Sequence, residues 1–560
     1  MPHHTINGKA KPVGEKWVWL TSMGLAIGVM MVVTLLALII RNGLSVFWPK
    51  PVIRIELAEG SRFAMRGTNV LGGMVADIRT KIVQRSEADR GAGGEDQEWH
   101  LFLGNKDVYG AGFRYIDLSA AKHVSRPPRA MIVERMEYGH AIGLPVELKR
   151  ADGSVVPASD PAFDRYLQEE VDVVNAHRKE IRRIERIEIG RINHELEQLR
   201  IREKQWAASG ADTGDNPDGL ALRERRQTLQ SEYERHAAAA ARLRAEQEAS
   251  RFTYTLFTGE THAFPVGHMV YFFYPNRMDF LDKLGHFAHG LWSFVSTEPR
   301  EANTEGGIFP AIFGTFVMTL LMSIAVTPFG VLAAIYLREY AKQGLFVRMV
   351  RISVNNLAGV PSIVFGVFGL GFFVYFVGGS IDRLFFADVL PTPTFGTGGI
   401  MWAALTLALM TVPVVIVATE ESLAAVPRGV REGSLALGAS KWQTIFRVVL
   451  PASAPGILTG LVLAMARGAG EVAPLMLVGV VKLAPSLPID HLYPYVHLDQ
   501  KFMHLGFHIY DLGFQSPDSD AAKPMVFATT LFLILLVVLL NLGAIVVRER
   551  LRRRYATGAF

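Results

Sequence analysis

The chain has 560 residues, a net charge of +5 and a charged fraction of 20%, and half of its residues are hydrophobic. It contains no cysteine, which excludes disulfides, thiolate metal ligands and cysteine nucleophiles. Apolar residues gather in six long runs while charge concentrates between residues 54 and 305. That segregation argues against a single globular core and for a membrane protein with one large water-exposed insertion.

In chain order, Lys9, Lys11 and Lys16 precede an apolar run over residues 17–40. The run is long for a secretory leader and no small-residue cleavage pattern follows Ile40, so it is expected to persist as a first span with its amino terminus inside. Residues 41–305 have a different texture. Short alternating segments at 52–57, 109–116, 130–136 and 144–148, separated by Gly, Pro and Asp clusters, indicate a β-rich module. Two charged helical patterns follow, at 163–208 and 220–249, joined by a Gly/Asp/Pro turn at 210–219. Their apolar stripes, Leu167, Val171, Val174, Ile181, Ile192 and Leu199 on one and Leu222, Leu229, Ala240 and Leu243 on the other, predict an antiparallel coiled-coil hairpin over about 163–249. A solvated helical spacer without a partner remains the alternative. Strand-like alternation resumes at Arg251, and His262 and His268 lack a third ligand at metal-binding spacing, which leaves them as surface or packing residues.

Five further spans are expected at 307–337, 352–377, 400–418, 454–480 and 525–547, with Pro328 kinking the second. Basic residues cluster at Arg338, Lys342, Arg348 and Arg351, at Arg428, Arg431, Lys441 and Arg447, and at Arg548 to Arg554; the intervening loops are poorer in them. The positive-inside rule then puts both termini in the cytoplasm and the insertion outside, in the periplasm of a cell that has one.

Two constellations stand out. Between spans four and five, Glu420, Glu421, Arg428, Arg431, Glu432, Lys441 and Arg447 alternate with Leu435, Leu437, Trp442 and Phe446, with Gly438 interrupting and Pro451 closing the run. This predicts two short amphipathic helices bent at Gly438, offering an apolar face with a charged rim to another protein, or else resting in the lipid interface. Within the fifth span, Arg467 and Glu471 lie four residues apart, so on one helix they share a face and can pair. Charge at that depth is costly and normally faces a bundle interior or polar path, and an arginine fork suits a tetrahedral oxyanion. A purely structural ion pair is the competing reading.

EGSLALGASKWQTIFRVVLP, beginning at Glu432, resembles the cytoplasmic coupling loop of ABC importer permeases, with Glu432, Gly438, Leu450 and Pro451 at the matching positions. GGIFPAIFGT from Gly306, AGVPSIVFGVFGLG from Ala358 and ARGAGEVAPLMLVG from Ala466 are similar to the PstA-type phosphate permeases. Gly433 and Ser434, where small alanines are usual, and Val448, for an isoleucine, are mild departures, whereas Val472 stands where threonine is common and removes one possible hydroxyl ligand beside Glu471. The resemblance implies an all-α polytopic membrane protein of the six-span ABC importer permease fold, with an inserted mixed α/β periplasmic domain that the family's usual short connection lacks. Residues 1–40 would form the tail and first span, 41–305 the insertion, 306–548 the permease core and 549–560 a basic tail.

By the same resemblance, Arg467 and Glu471 would line a phosphate route, and Glu432, Gly438, Leu450 and Pro451 would couple to an ATPase subunit. The expected partners are a homologous permease subunit, a cytoplasmic ATPase dimer, a periplasmic phosphate-binding protein, inorganic phosphate and membrane lipid, with no nucleic acid. No cofactor or metal is implied. The sequence contains no G-x-x-x-x-G-K-[ST] loop, so ATP hydrolysis is assigned to another chain. Alternatives are a permease for sulfate or molybdate, or a membrane-anchored periplasmic sensor.

Overall fold

A computed structural model describes residues 16–83, 94–208, 217–490, 493 and 495–556. Lys9, Lys11, the hairpin turn at 210–216 and the last four residues of the basic tail lie outside them. Six helices are long and apolar enough to cross a membrane: Trp19–Ser45, Phe309–Tyr340, Ser362–Phe385, Ile400–Ala425, Lys441–Gly470 and Ser519–Arg553. The fourth is the central one, with Trp402, Ala403, Leu407 and Met410 buried along it. Its neighbours approach closely at small residues. A Cβ built on Gly330 of the second span would sit 2.6 Å from Val415, and one on Gly460 of the fifth would sit 2.4 Å from Ala418. Close packing at such positions replaces the hydrophobic drive that lipid cannot supply between helices. Thr315, Thr319, Ser323 and Thr327 run down the second span, and each hydroxyl donates to the carbonyl four residues back, at 2.6–2.7 Å, which satisfies these four hydroxyls within the helix.

Several span boundaries differ from those expected. The third span begins at Ser362, because Gly359 and Pro361 separate it from an amphipathic helix, Leu345–Leu357, that carries Arg348, Arg351 and the exposed Asn355 and Asn356. The fifth ends at Gly470 and not near Val480. The sixth starts at Ser519, a turn and a half early, since Asp520 and Lys523 pair at 2.9 Å on its polar first turn.

The insertion holds two antiparallel sheets. Strands β1 (Val52–Leu57), β2 (Val70–Val83), β3 (Gly94–Phe102), β4 (Phe113–Asp117) and β5 (Ala121–Ser125) form one, in the order β4-β3-β2-β1-β5. Strands β6 (Met131–Arg135), β7 (Ala141–Lys149), β8 (Val155–Pro157), β9 (Arg251–Thr255), β10 (Thr261–Pro265) and β11 (Met269–Phe273) form the other, in the order β10-β9-β7-β6-β11, with β8 on β7. Val52, Ile132, Ile142 and Phe257 are buried where the two sheets meet. The long β2–β3 ribbon escaped the sequence reading because its outer half, RTKIV against GEDQE, is largely charged and shows no sustained apolar/polar alternation.

The hairpin interrupts the second sheet between β8 and β9. Its first helix, Phe163–Arg183, continues through a wide turn at Ile184–Glu188 into Ile189–Ala208, and its second is Pro217–Gln247. Proline suits the first helical position, which explains a start at Pro217 rather than Leu220. Phe163, Leu167, Val171 and Val174 root the hairpin against Phe252, Tyr254 and Leu256, while Ile192, Leu199 and Leu229 bury the seam further out. Each such side chain contributes about 1.5–3 kcal/mol, against about 0–1 kcal/mol for an exposed pair such as Arg226–Glu203 at 3.3 Å. The apolar seam therefore holds the two arms together. The far end of the first arm folds back on the membrane-spanning part: Lys204 Nζ donates to the Asp388 carbonyl at 3.3 Å and Gln205 Nε2 to Asp388 Oδ2 at 2.7 Å, on the loop between spans three and four.

Candidate functional site

The loop after the fourth span forms an elbow. The helix Arg428–Ala436 ends at Leu437, and Gly438 takes φ +85°, a left-handed conformation that glycine adopts without strain. Ser440 then opens the next helix with a reciprocal cap: its Oγ accepts from Gln443 N–H at 3.2 Å and Gln443 Oε1 accepts from Ser440 N–H at 2.9 Å. That helix does not stop at Pro451, contrary to expectation. It runs unbroken from Lys441 to Gly470, widening at Ile445–Val449 so that the missing N–H of Pro451 is absorbed in a looser turn.

Anchors to neighbouring spans hold the elbow. Arg431 pairs with Glu339 at 3.0 Å, Lys441 donates to the Glu339 carbonyl and sits 4.8 Å over the Tyr340 ring, and Arg351 reaches Glu420 at 3.2 Å. Apolar side chains remain outward among charged ones. Leu437 is 90% exposed, Leu435, Val430 and Trp442 are also exposed, and Trp442 lies 3.9 Å from Phe446 ring to ring, with Glu432 exposed beside them. Glu339 as the inner anchor was not read from the sequence; its only signal is a lone acid among the bases after the second span.

Arg467 and Glu471 do come together, with Arg467 Nε 3.8 Å from Glu471 Oε1. They do so across a break and not on one helix face. Glu471 is extended, at φ −80° and ψ 137°, and a short helix, Ala473–Val478, restarts after it. Pro474 near its start has no N–H to extend the ladder back, and Gly468 and Gly470 flank the break. Non-helical backbone at membrane depth persists only where protein covers it or water reaches it. Here the Arg467 side chain is 37% exposed and that of Glu471 24%, so within this chain the guanidinium stays open on one side. The separation exceeds hydrogen-bond length, leaving the arginine's donors available to an anion.

Beyond the break lies a buried polar cluster that the sequence reading did not find. Lys482 Nζ and Asn303 Nδ2 both reach Asp511 Oδ2 at 3.0 Å, and Leu505 N–H donates to Thr315 Oγ1 at 2.8 Å. His504 and His508 are buried beside it; burial pushes His504 down to about 3 and His508, despite Asp511, down to about 4, so both are neutral at neutral pH. The cluster ties the approach to the second span to the segment after the break. Its residues are scattered from 303 to 511, and no local pattern announces them. Among the described residues no group of three or more potential metal ligands occurs.

Residues 326–556 match the family model described as the binding-protein-dependent transport system inner membrane component. That range contains the elbow, Arg467 and Glu471. The chain is 32% identical over 198 residues to the probable ABC transporter permease protein YqgH of Bacillus subtilis, covering 35% of this chain and 60% of that one. It is 37% identical over 191 residues to the phosphate transport system permease protein PstA 1 of Mycobacterium tuberculosis, covering 34% and 56%. These matches span less than two thirds of the relatives' own length. Among solved structures, the MetNI methionine ABC transporter in an inward-facing conformation aligns at 18% identity and a TM-score of 0.32, over 43% of this chain and 94% of that one. The six apolar helices and the large inserted β/α domain of the described residues, with the matched segment, are consistent with a six-span ABC importer permease fold.

Proposed function

We propose that the chain is one permease subunit of an ATP-driven importer of inorganic phosphate. The observation that carries this reading is a part-exposed arginine beside a glutamate at a break in a spanning helix. Arg467 binds the tetrahedral oxyanion and Glu471 holds or releases the guanidinium between cycles. The open side of Arg467 faces a homologous permease subunit that completes the route. The elbow, with Glu432 and Gly438 at its bend and Leu450 and Pro451 at its exit, transmits the movement of an ATPase dimer, for which Leu437 and Trp442 form the docking face. Both termini lie in the cytoplasm of an inner-membrane protein, and the insertion stands in the periplasm, where a phosphate-binding protein delivers substrate. Similarity to PstA-type proteins supports phosphate over other oxyanions. The test is uptake of radiolabelled phosphate in cells carrying or lacking this chain, with its partners present and sulfate or molybdate as competitor. Loss of uptake without the chain, with the wild type indifferent to both competitors, is expected. Unchanged uptake in cells without a second phosphate importer refutes the assignment.

A further inference from the structure

A cavity of about 560 Å³ lies where the insertion meets the first and sixth spans, apart from Arg467 and Glu471. That volume is in the range of small-ligand sites. One part of its lining is apolar and comes from the end of the first span, the helix before the second span and the start of the sixth: Val46, Phe47, Phe294, Met525 and Phe527. The rest is charged and largely belongs to the insertion and the approach to the second span. Lys50, Arg79, Arg300 and Lys523 face Asp77, Glu134, Glu305 and Asp520, four cations against four anions, so the carboxylates of the lining are balanced by its lysines and arginines.

The floor of the site is a helix, Phe280–Ser296, that exposes Phe280, Leu281, Leu284 and Trp292. Trp48, at the end of the first span, packs 6.1 Å from both Phe280 and Phe287. Aromatic and aliphatic side chains exposed along a short helix beside the end of a span belong at the membrane–water interface. The cavity therefore sits at headgroup level, with its apolar end toward the hydrocarbon.

Three buried polar atoms at this lining, Glu305 Oε2, His100 Nε2 and His286 Nδ1, lack hydrogen-bond partners. Glu305 Oε2 is an acceptor with no donor, although its other oxygen lies 3.0 Å from His140 Nδ1. His100, only 5% exposed, has Nε2 unbonded, with Asp520 Oδ2 3.5 Å away. A buried carboxylate oxygen without a donor is costly to maintain. Toward the rim, Arg79 and Lys523 are about half exposed, each held by one carboxylate.

We propose that this cavity binds the headgroup of a phospholipid bearing a primary amine, its phosphate on Lys523 and Arg79 and its ammonium on Glu305 and Glu134. A neutral, dipolar headgroup matches the balanced lining better than a net anion does. A primary ammonium has donors for Glu305 Oε2, whereas a quaternary ammonium has none. The acyl chains leave along Phe47, Phe294 and Phe527.

The test titrates the full chain in detergent with dioctanoyl phosphatidylethanolamine, with dioctanoyl phosphatidylcholine and phosphatidylglycerol as comparators, followed by calorimetry. The ethanolamine lipid is expected to bind about tenfold tighter than either comparator, a difference of about 1.4 kcal/mol. Glu305→Gln is expected to abolish that preference. Because Glu305 also pairs with His140, Lys523→Ala, at an exposed position, serves as the independent variant and should weaken the ethanolamine lipid several-fold. Equal binding of the three lipids, or wild-type affinity in both variants, overturns the proposal. Glycerophosphoethanolamine without acyl chains separates the sources: weak binding supports the lipid, and affinity equal to the lipid's overturns it.

Discussion

Replacing Arg467 by glutamine separates the proposed transport role of this residue from a structural one. The pair with Glu471 is 3.8 Å long, with its members 37% and 24% exposed. At that length and exposure it contributes at most about 1 kcal/mol to the fold, the range of solvent-accessible ion pairs. Glutamine keeps one amide donor and loses the charge and the fork. A hydrogen bond to a charged group is worth about 1.5–3 kcal/mol, so loss of the fork on an oxyanion costs about 2–4 kcal/mol. At about 1.4 kcal/mol per decade, that lowers uptake roughly 30- to 1,000-fold. The assay is initial-rate uptake of radiolabelled phosphate, alongside recovery of the variant with its partner subunits from the membrane. The expected result is normal assembly with uptake near background. Wild-type uptake by a fully assembled Arg467→Gln protein would refute the pathway, and loss of assembly would show that the pair is structural.

At the elbow, Gly438→Val places a β-branched residue at φ +85°, at a cost of about 1–2 kcal/mol. No atom lies within 4 Å of the added Cβ, so the subunit should fold while substrate-stimulated ATPase activity of the assembled complex falls; Gly438→Asn, which tolerates this conformation, should retain it. Asp382, 2% exposed, accepts from the backbone N–H groups of Thr394, Phe395 and Gly396 at 2.7–3.0 Å. Asp382→Ala strands three donors, and thermal unfolding in detergent should show a loss of at least about 2 kcal/mol. Burial works against charge on His140, but the Glu305 carboxylate outweighs it and holds the imidazole above its usual value; burial likewise raises Glu305, which His140 brings below its usual value. The His140 contribution is therefore full below about pH 6.5 and fades as pH rises through the raised value, while that of Glu305 is full above about pH 4.5 and fades as pH falls. Hydrogen exchange at residues 299–306, once corrected for the intrinsic rate, should be slowest between those limits, and His140→Gln should flatten the profile.

The apolar runs could be read as spans without a structure because bilayer thickness imposes a length on any helix that crosses it, and that constraint is local. Ile400 to Ala425 needs only its own composition to declare itself. The hairpin is legible for the same reason: the stripe through Leu167, Val171 and Val174 repeats at helical spacing. The elbow at Gly438 shows as a glycine between two amphipathic segments. Partners distant in sequence are different. Nothing near Arg431 indicates that Glu339 anchors it, nor near Asp511 that Asn303 and Lys482 meet on its carboxylate. Arg467 and Glu471 lie between: their spacing suggested a pair on one helix face, and a real pair exists, but the chain breaks at Glu471 and the arginine stays open. Periodicity and length are properties of a segment, so the sequence by itself determines which stretches cross the membrane and which pair as helices. Whether a helix continues through a proline, and which buried charges meet, depends on the free energy of packing against residues hundreds of positions away. Only the tertiary structure decides those.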